Sequence, residues 1–502
     1  MPFTKPLGRS LTVAAALSAV AWLSACTTVG PQFAEPTFEP AGPYRHAGAP
    51  GADANAKLPL ASWTLFGDAT LDALELRALR DNPHVEAAAQ RLLQAQALLG
   101  VARADDGLKF GVSTSAAYSH SSENTSQAIM LGRRTVEGSQ FTLGASLSYE
   151  LDLWGRVRRA VESADAQALV ARYDRDGLLL MLSNQVAVSY FQLRGADAEI
   201  AILDSALDTR RETEQLVSAR FDTGLSNELD LSRARIERAN AEADLHEARR
   251  QRQALEHGLA VLVGASPSEP LIASLGSAAR TALPTPPAIP VGLPATLLAQ
   301  RPDLASSVAS LRSLNAQVGV AESAFYPSVS LTGNHGFASE KLSELTRGGS
   351  QQFSVGPLAL TLPIFDGGHN RANLAASQAR YAEALANHRG KLLTALREVE
   401  DALSDVQQRD LQAGAQVQAQ QAAARAYEVA RARYERGVSS YLDVTDAQRS
   451  SLAADRAAAQ IRTQRLLAAV SLARALGGGW SPEASVTLAD KLPTSQDQNH
   501  PL

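Results

Sequence analysis

The predicted fold class is α+β: an internally duplicated chain in which each half runs from a helix into a pair of strands and then into a long helical hairpin. Three observations predict it. First, the stretch Arg433-Tyr434-Glu435-Arg436-Gly437-Val438-Ser439-Ser440-Tyr441-Leu442-Asp443 echoes Arg220-Phe221-Asp222-Thr223-Gly224-Leu225-Ser226-Asn227-Glu228-Leu229-Asp230 at an offset of 213 residues. Second, the segments upstream of each copy alternate apolar and small polar residues with a period of two, the mark of strands with two unlike faces. Third, no proline occurs between Pro83 and Pro267 or between Pro363 and Pro482, so nothing there forbids unbroken helix.

Within the echo, aromatic falls on aromatic, Gly224 on Gly437, Ser226 on Ser439, Leu229 on Leu442 and Asp230 on Asp443. Each copy reads as a hairpin tip: the glycine ends one helix in a left-handed conformation, and Ser226 or Ser439, with the acids behind it, starts the next.

At the N-terminus, Lys5 and Arg9 precede an apolar run from Leu11 to Leu23 and then Leu23-Ser24-Ala25-Cys26. The run is short for a membrane span and reads as a signal peptide over residues 1–25. Cys26 is the only cysteine, so no disulfide is possible within one chain; it is expected to carry an N-acyl and S-diacylglycerol lipid as the first mature residue. By analogy with bacterial lipoproteins, Thr27 favours sorting to the outer membrane. Loss of Lys5 and Arg9 moves the net charge from −5 to −7, and an acidic chain gives no support to nucleic-acid binding.

Residues 26–65, rich in Pro, Gly and Ala, read as an extended leader. The first repeat is placed at 66–266, a Pro-rich connector at 267–296, the second repeat at 297–479 and a polar tail at 480–502. Asp68 to Arg103 has a helical pattern broken at Asn82-Pro83, and Asn82 to Ala102 matches Arg301 to Ala321 at an offset of 219. Strands are expected around Val112–Tyr118, at Phe141–Glu150, around Val329–Asn334 and at Phe353–Phe365, with polar loops near 120–139 and 338–352. Arms follow from Gly155 to Phe221 and from Gly368 to Tyr434, seamed by Leu182, Val186, Leu193, Ile200, Leu203 and Leu207 in the first. Leu385, Leu392, Leu396, Val399, Leu403 and Val406 seam the second. About 65 helical residues reach roughly 100 Å, far beyond what a globular domain needs. Return helices are placed from about Asn227 to Val263 and Tyr441 to Leu476.

Strands with one apolar and one small polar face fit either a half-buried sheet on a soluble core or a wall with lipid outside and water inside. Four strands per chain cannot close a barrel, and an open edge cannot sit in lipid with its backbone groups unpaired. In a membrane, several copies must therefore share one barrel. Two would give eight strands with a filled interior; three would give twelve and leave a lumen. The residues alone do not choose the number, though an open conduit favours three.

The lipobox, the duplicated plan and the motifs Ser148-Tyr149-Glu150-Leu151-Asp152-Leu153-Trp154-Gly155-Arg156, Gln300-Arg301-Pro302-Asp303-Leu304, Phe325-Tyr326-Pro327-Ser328 and Pro363-Ile364-Phe365-Asp366-Gly367-Gly368 resemble the TolC-like outer-membrane efflux factors, in their NodT-type lipoprotein branch. The resemblance covers essentially the whole mature chain. It implies a homotrimer with a 12-stranded outer-membrane β-barrel continued by a 12-helix periplasmic α-barrel and a mixed equatorial belt. It further implies docking onto a periplasmic adaptor, or membrane fusion protein, and an inner-membrane pump of the resistance-nodulation-division type, so that solutes leave the cell passively.

The same resemblance implies a periplasmic gate. Asp443 and Asp446, three apart and so on one helix face, match acidic residues that ring the entrance in the family. Asp230 and Tyr434 match positions that hold neighbouring hairpins together. Ser439 stands where some members have an arginine, a departure that counts against a salt-bridge form of the latch. Gly224, Leu225, Ser226 and Gly437, Val438, Ser439 are the candidate adaptor-docking tips, the glycines permitting close backbone approach. Trp154 and Tyr149 read either as membrane-interface aromatics or as a seam between barrel and tunnel.

The nine histidines form no ligand spacing with Cys26, and no phosphate loop, zinc-protease helix or nucleophile elbow is present, so neither an enzyme nor a cofactor is expected. Two other readings fit part of the pattern. One is a lipid-anchored periplasmic coiled-coil adaptor or envelope spacer, and the other the outer-membrane channel of a type I secretion exporter.

Overall fold

The computed structural model describes residues 28–37, 44–46, 58–122, 124, 126–130, 132, 137–272, 283–290 and 300–482. Cys26, the signal segment and most of the Pro-rich connector and tail lie outside the described residues. The chain forms two compact units, each drawing on both repeats. The first takes in the described part of Met1–Pro36 with Leu92–Ala171 and Ser307–Asn387; the second takes in the described parts of Thr37–Arg91, Arg172–Ser306 and His388–Leu502.

The elements in order are α1 (Ala69–Asp81), α2 (Pro83–Ala104), β1 (Lys109–His120), a short α3 (Ser126–Met130), β2 (Glu137–Leu151), α4 (Arg156–Asp222), α5 (Glu228–Leu262), α6 (Pro302–Ser323), β3 (Ser328–Ser339), β4 (Gln351–Thr361), α7 (His369–Glu435) and α8 (Tyr441–Ala475). The duplication is kept to the residue: α4 and α7 are each 67 residues long, α5 and α8 each 35. Helices α2 and α6, which lead into the strands, are each 22. Among the described residues no helix is long and apolar enough to cross a membrane.

The first unit holds a single antiparallel sheet in the order β1-β2-β3-β4. Directly paired residues share a face, and the register places Val112 opposite Ala145, Leu143 opposite Phe337, and Tyr149 opposite Leu331. His335 faces Phe353, and Gly333 faces Val355. One face is therefore continuous and apolar across all four strands, with Phe110 68% and Val355 85% exposed. The opposite face carries Ser113, Ser146, Thr332 and Ser354. Strand β4 ends at Thr361 rather than running on to Phe365, because Pro363 has no N–H to give the ladder. The segments predicted as polar loops contain α3 and two single 3₁₀ turns, Leu342–Glu344 and Gly348–Ser350.

Residues 28–31 run as a strap against this unit. Val29 N–H donates to Trp154 O at 2.9 Å, the Arg159 guanidinium reaches the carbonyls of Val29 and Gly30, and Asn315 Nδ2 donates to Pro31 O at 2.9 Å. Two glycines make room: a Cβ on Gly30 would lie 2.5 Å from Gly319 Cα, and one on Gly155 would lie 2.4 Å from the Thr28 side chain. Trp154 packs in the same seam, its ring 5.0 Å from Tyr326 and its Nε1 donating to Pro327 O at 2.8 Å.

In the second unit, the predicted seam is core. Val186, Leu193, Ile200, Leu203 and Leu207 on α4 are buried, as are Leu392, Val399 and Leu403 on α7. Leu396 and Val406 are partly buried against the same cluster. Helix α1 enters this core through Asp68, whose Oδ1 accepts from Thr70 N–H and Leu71 N–H at 2.9 and 3.2 Å. Asp68 Oδ2 accepts from the Tyr190 hydroxyl at 2.6 Å. Asp68→Ala removes the cap and the acceptor of the buried Tyr190 hydroxyl together, so it is expected to cost about 2 kcal/mol. Asp68→Asn, which keeps the cap, should cost less. Urea melts of the detergent-solubilised protein measure both, and equal losses would count against this assignment.

Candidate functional site: the hairpin tips

The predicted tip residues all belong to the second unit, where both hairpins end in the same backbone motif. In α4, Leu225 N–H donates to Arg220 O at 2.7 Å and Gly224 N–H to Phe221 O at 2.9 Å; in α7, Val438 donates to Arg433 O at 3.0 Å and Gly437 to Tyr434 O at 2.8 Å. This six-to-one with five-to-two pair closes a helix around a left-handed residue, and Gly224 and Gly437 have φ of 72° and 75°. The two residues that follow, Leu225 and Val438, point outward and are 71% and 63% exposed.

The N-caps of the return helices fall one residue later than predicted. Asn227 and Ser440, not Ser226 and Ser439, are the N-caps, accepting from Asp230 N–H at 2.9 Å and from Asp443 N–H at 3.4 Å. Asp443 closes a capping box by accepting from Ser440 N–H at 3.1 Å. Either serine of Ser439-Ser440 satisfies cap chemistry, and only the three-residue spacing to Asp443 separates them. Ser226 and Ser439 keep buried hydroxyls with no hydrogen-bond partner.

The predicted gate residues divide into two groups. Asp443 and Asp446 are both exposed on the first turns of α8. Asp230 is held locally, by Asn227 Nδ2 at 3.2 Å and Arg233 at 3.6 Å. Tyr434 is buried at 6% exposure, its ring 5.7 Å from Tyr441. Arg220 of the first hairpin lies over that ring, 4.8 Å from its centre, and its Nη1 donates to Tyr434 O at 3.1 Å. Val217, Leu231, Ala234 and Val444 complete the cluster, so the two tips of one chain are joined by an apolar plug carrying one cation–π contact.

Sequence reading missed the residues that tie the hairpins above this plug. Glu237 on α5 is buried; its Oε2 meets Arg210 of α4 at 3.3 Å, and its Oε1 accepts from Arg449 Nε of α8 at 3.1 Å. One carboxylate thus joins three helices of both hairpins. Next to it Gln448 Nε2 donates to Thr213 and Tyr427 hydroxyls at 3.2 and 3.3 Å. Glu237 and Arg449 lie 212 residues apart, and their pairing follows no local spacing, so only the overlay of the two repeats hints at it. A cavity of about 390 Å³ opens here beside Arg210, Tyr427 and Gln448. Among the described residues no cluster of His, Cys, Asp and Glu fits a metal ion.

Comparison with known proteins bears directly on this architecture. The outer membrane efflux protein family model matches residues 76–265 and 293–478. The outer membrane protein OprJ of Pseudomonas aeruginosa is 34% identical over 473 residues, covering 92% of this chain and 96% of its own. The outer-membrane channel OprN has a TM-score of 0.82 at 31% identity, covering 91% of this chain and 100% of that one. The Campylobacter jejuni CmeC outer membrane channel has a TM-score of 0.86 at 26% identity, covering 94% and 100%. These likenesses set aside the envelope-spacer reading, since the whole chain, sheet included, follows channel proteins. The chain belongs to the outer membrane efflux protein family and is an outer-membrane channel component of an efflux system.

Proposed function

We propose that three copies of this chain form one passive exit duct, with twelve strands in the outer membrane and twelve helices in the periplasm. The observation that carries this reading is the four-stranded sheet with one exposed apolar face, one small polar face and two open edges. A sheet of that kind is stable in lipid only when its edges are paired, and further copies of the same chain supply the partners. Strands of 11 to 15 residues suffice to span the hydrocarbon.

In this reading Cys26 is acylated and holds the chain to the outer-membrane lipid. The outward Leu225 and Val438, beside Gly224, Ser226, Gly437 and Ser439, meet a periplasmic adaptor, which connects to an inner-membrane pump of the resistance-nodulation-division type. A type I exporter is the alternative partner. In this reading the duct needs no catalytic group or cofactor of its own, and the energy comes from the pump. Asp443 and Asp446 of three copies place six carboxylates around the entrance, which favours cations and makes opening sensitive to like-charge repulsion. Tyr434 and Asp230 act within each chain, Tyr434 as the plug on which Arg220 rests and Asp230 at the cap of α5.

Planar-bilayer recording tests the reading. The purified protein is expected to conduct with a preference for cations, and replacing both Asp443 and Asp446 by Asn should lower the cation-to-anion permeability ratio several-fold without abolishing current. No conductance in either protein would sink the channel; an unchanged ratio would sink the gate assignment alone.

A further inference from the structure

A cavity of about 530 Å³, within the range of small-molecule sites, opens beside the strap in the first unit. Thr28 and Phe33 of the leader line it together with Arg158, Arg159 and Glu162 of α4 and Arg312 of α6, so guanidiniums outnumber carboxylates three to one along its wall. The buried Arg159 is spent mostly on the strap: its Nε and Nη2 donate to Val29 O and Gly30 O at 3.3 and 3.2 Å, and its Nη1 donates to Glu162 at 2.8 Å. Arg158 is held by Asp152, with Nε donating to Oδ2 at 3.1 Å. Arg312 differs from both. It lies 3.9 Å from Glu162, which Arg159 already engages, and its side chain is 46% exposed. The strap accounts for Arg159; it does not account for Arg312.

The duplication supplies a control within the chain. At the offset of 213, Arg158, Arg159 and Glu162 become Arg371, Ala372 and Ala375, and at the offset of 219 Arg312 becomes Leu93. The helical plan therefore does without three of the four charges, which occur where the leader lies. That place is the membrane boundary. Arg158 and Arg159 open α4 just beyond the end of β2 at Leu151, on the side of the sheet where the long periplasmic helices begin. Trp154 and Tyr326 stack in the same seam, as aromatics do where a bilayer meets water. Two residues of chain span at most about 7 Å, so acyl groups on Cys26 start close to Thr28 at the edge of the cavity. A strap that leads to a lipid runs on the lipid-facing side of its unit, and the leaflet there is the periplasmic one, built of phospholipid.

We propose that this cavity binds the phosphate of an anionic phospholipid headgroup from that leaflet, with Arg312 as its principal ligand and Arg158 and Arg159 beside it. The proposal rests on the membrane and acylation reading above and adds a lipid-specific site to it. A phosphate diester suits the wall, because its two free oxygens match the fork of a guanidinium that stays charged throughout the physiological range. Phe33, half-buried at the same cavity, supplies an apolar surface for the glycerol and the first methylenes. Inorganic phosphate has the same charge chemistry without the chains, and the apolar face of the neighbouring sheet favours the molecule that has them. A lipid held here ties α6 to α4 and the strap at headgroup level, and so fixes the depth at which the channel sits.

Native mass spectrometry of the full-length protein, titrated with lipid in detergent, tests the site. Phosphatidylglycerol is expected to remain bound in preference to phosphatidylcholine of the same chain length, which carries the phosphate but no net charge. Arg312→Gln should weaken phosphatidylglycerol binding by about tenfold, the loss of one charge-assisted contact. Its urea midpoint should stay with that of the natural protein, since an exposed ion pair carries little stability. Arg312→Lys should keep part of the binding, and Arg371→Gln, at the position equivalent to Arg158, should keep all of it. Excess inorganic phosphate should fail to displace the lipid. Equal retention of the two lipids, unchanged binding in Arg312→Gln, or displacement by inorganic phosphate would overturn the lipid site and leave the channel standing. The same spectra report the acyl mass on Cys26, and a full-length chain without it would remove the anchor reading and the site together.

Discussion

Glu237→Ala is expected to destabilise the protein by about 3–5 kcal/mol, the loss seen when one partner of a buried ion pair is removed. The arrangement decides which partner matters. The Arg449 side chain is 58% exposed, so solvent screens its half of the interaction and leaves it worth about 1 kcal/mol or less. The Arg210 side chain is 8% exposed, and without Glu237 its guanidinium is left buried and charged without its partner. Arg210→Met in the Glu237→Ala background should therefore recover at least half of the loss, the signature of two residues acting as one. Arg449→Ala alone should barely move the melting midpoint, yet it removes one of the ties between α8 and the first hairpin and should raise the open probability in bilayer recordings. Thermal melts of the four proteins decide the matter: additive losses for Glu237 and Arg210 would remove the shared-carboxylate account.

The second large effect concerns pH. Glu75 on α1 is fully buried. Burial pushes its carboxyl up to about 9, opposed by Ser183 and reinforced by the charge of Asp72. The folded chain then holds a proton that the unfolded chain releases above about pH 4.5. The stability this group allows is complete below that point, declines as pH rises, and is fully lost near pH 9. At pH 7 the deficit is roughly 3 kcal/mol. Glu75→Gln keeps the shape without the ionisation. It is expected to melt several degrees above the natural protein at pH 8 and to match it at pH 4.5. Parallel pH slopes for the two proteins would show that Glu75 does not set the trend.

Much of the fold could be read from residues alone because it is built from periodic, proline-free segments laid down twice. The 213-residue offset places both arms within a residue of their true ends, and the period-two strands are right in face but short, Val329–Asn334 covering only half of β3. What escaped was of two kinds. Choices between adjacent residues of like chemistry, such as Ser439 against Ser440 as cap, turn on a spacing to Asp443 that either nearly satisfies. Contacts between residues hundreds of positions apart leave no local pattern: Glu237 with Arg449, the Gly30 approach to Gly319, and Glu75, an acid inside an otherwise ordinary amphipathic helix. Tyr434 was picked out as a gate aromatic. Its partner Arg220, lying in the echo that led to it, was not, because a cation over a ring carries no sequence spacing.

The strap formed by residues 28–31 also bears on the order in which the molecule can be completed. Val29 and Gly30 meet Trp154 and Arg159 of the first repeat, but Pro31 is held by Asn315, 284 positions downstream, so the strap is complete only after more than half of the polypeptide has been delivered. The last of its contacts must wait for the second repeat to arrive. Its seating is therefore a late event, a closing clasp on a body already assembled.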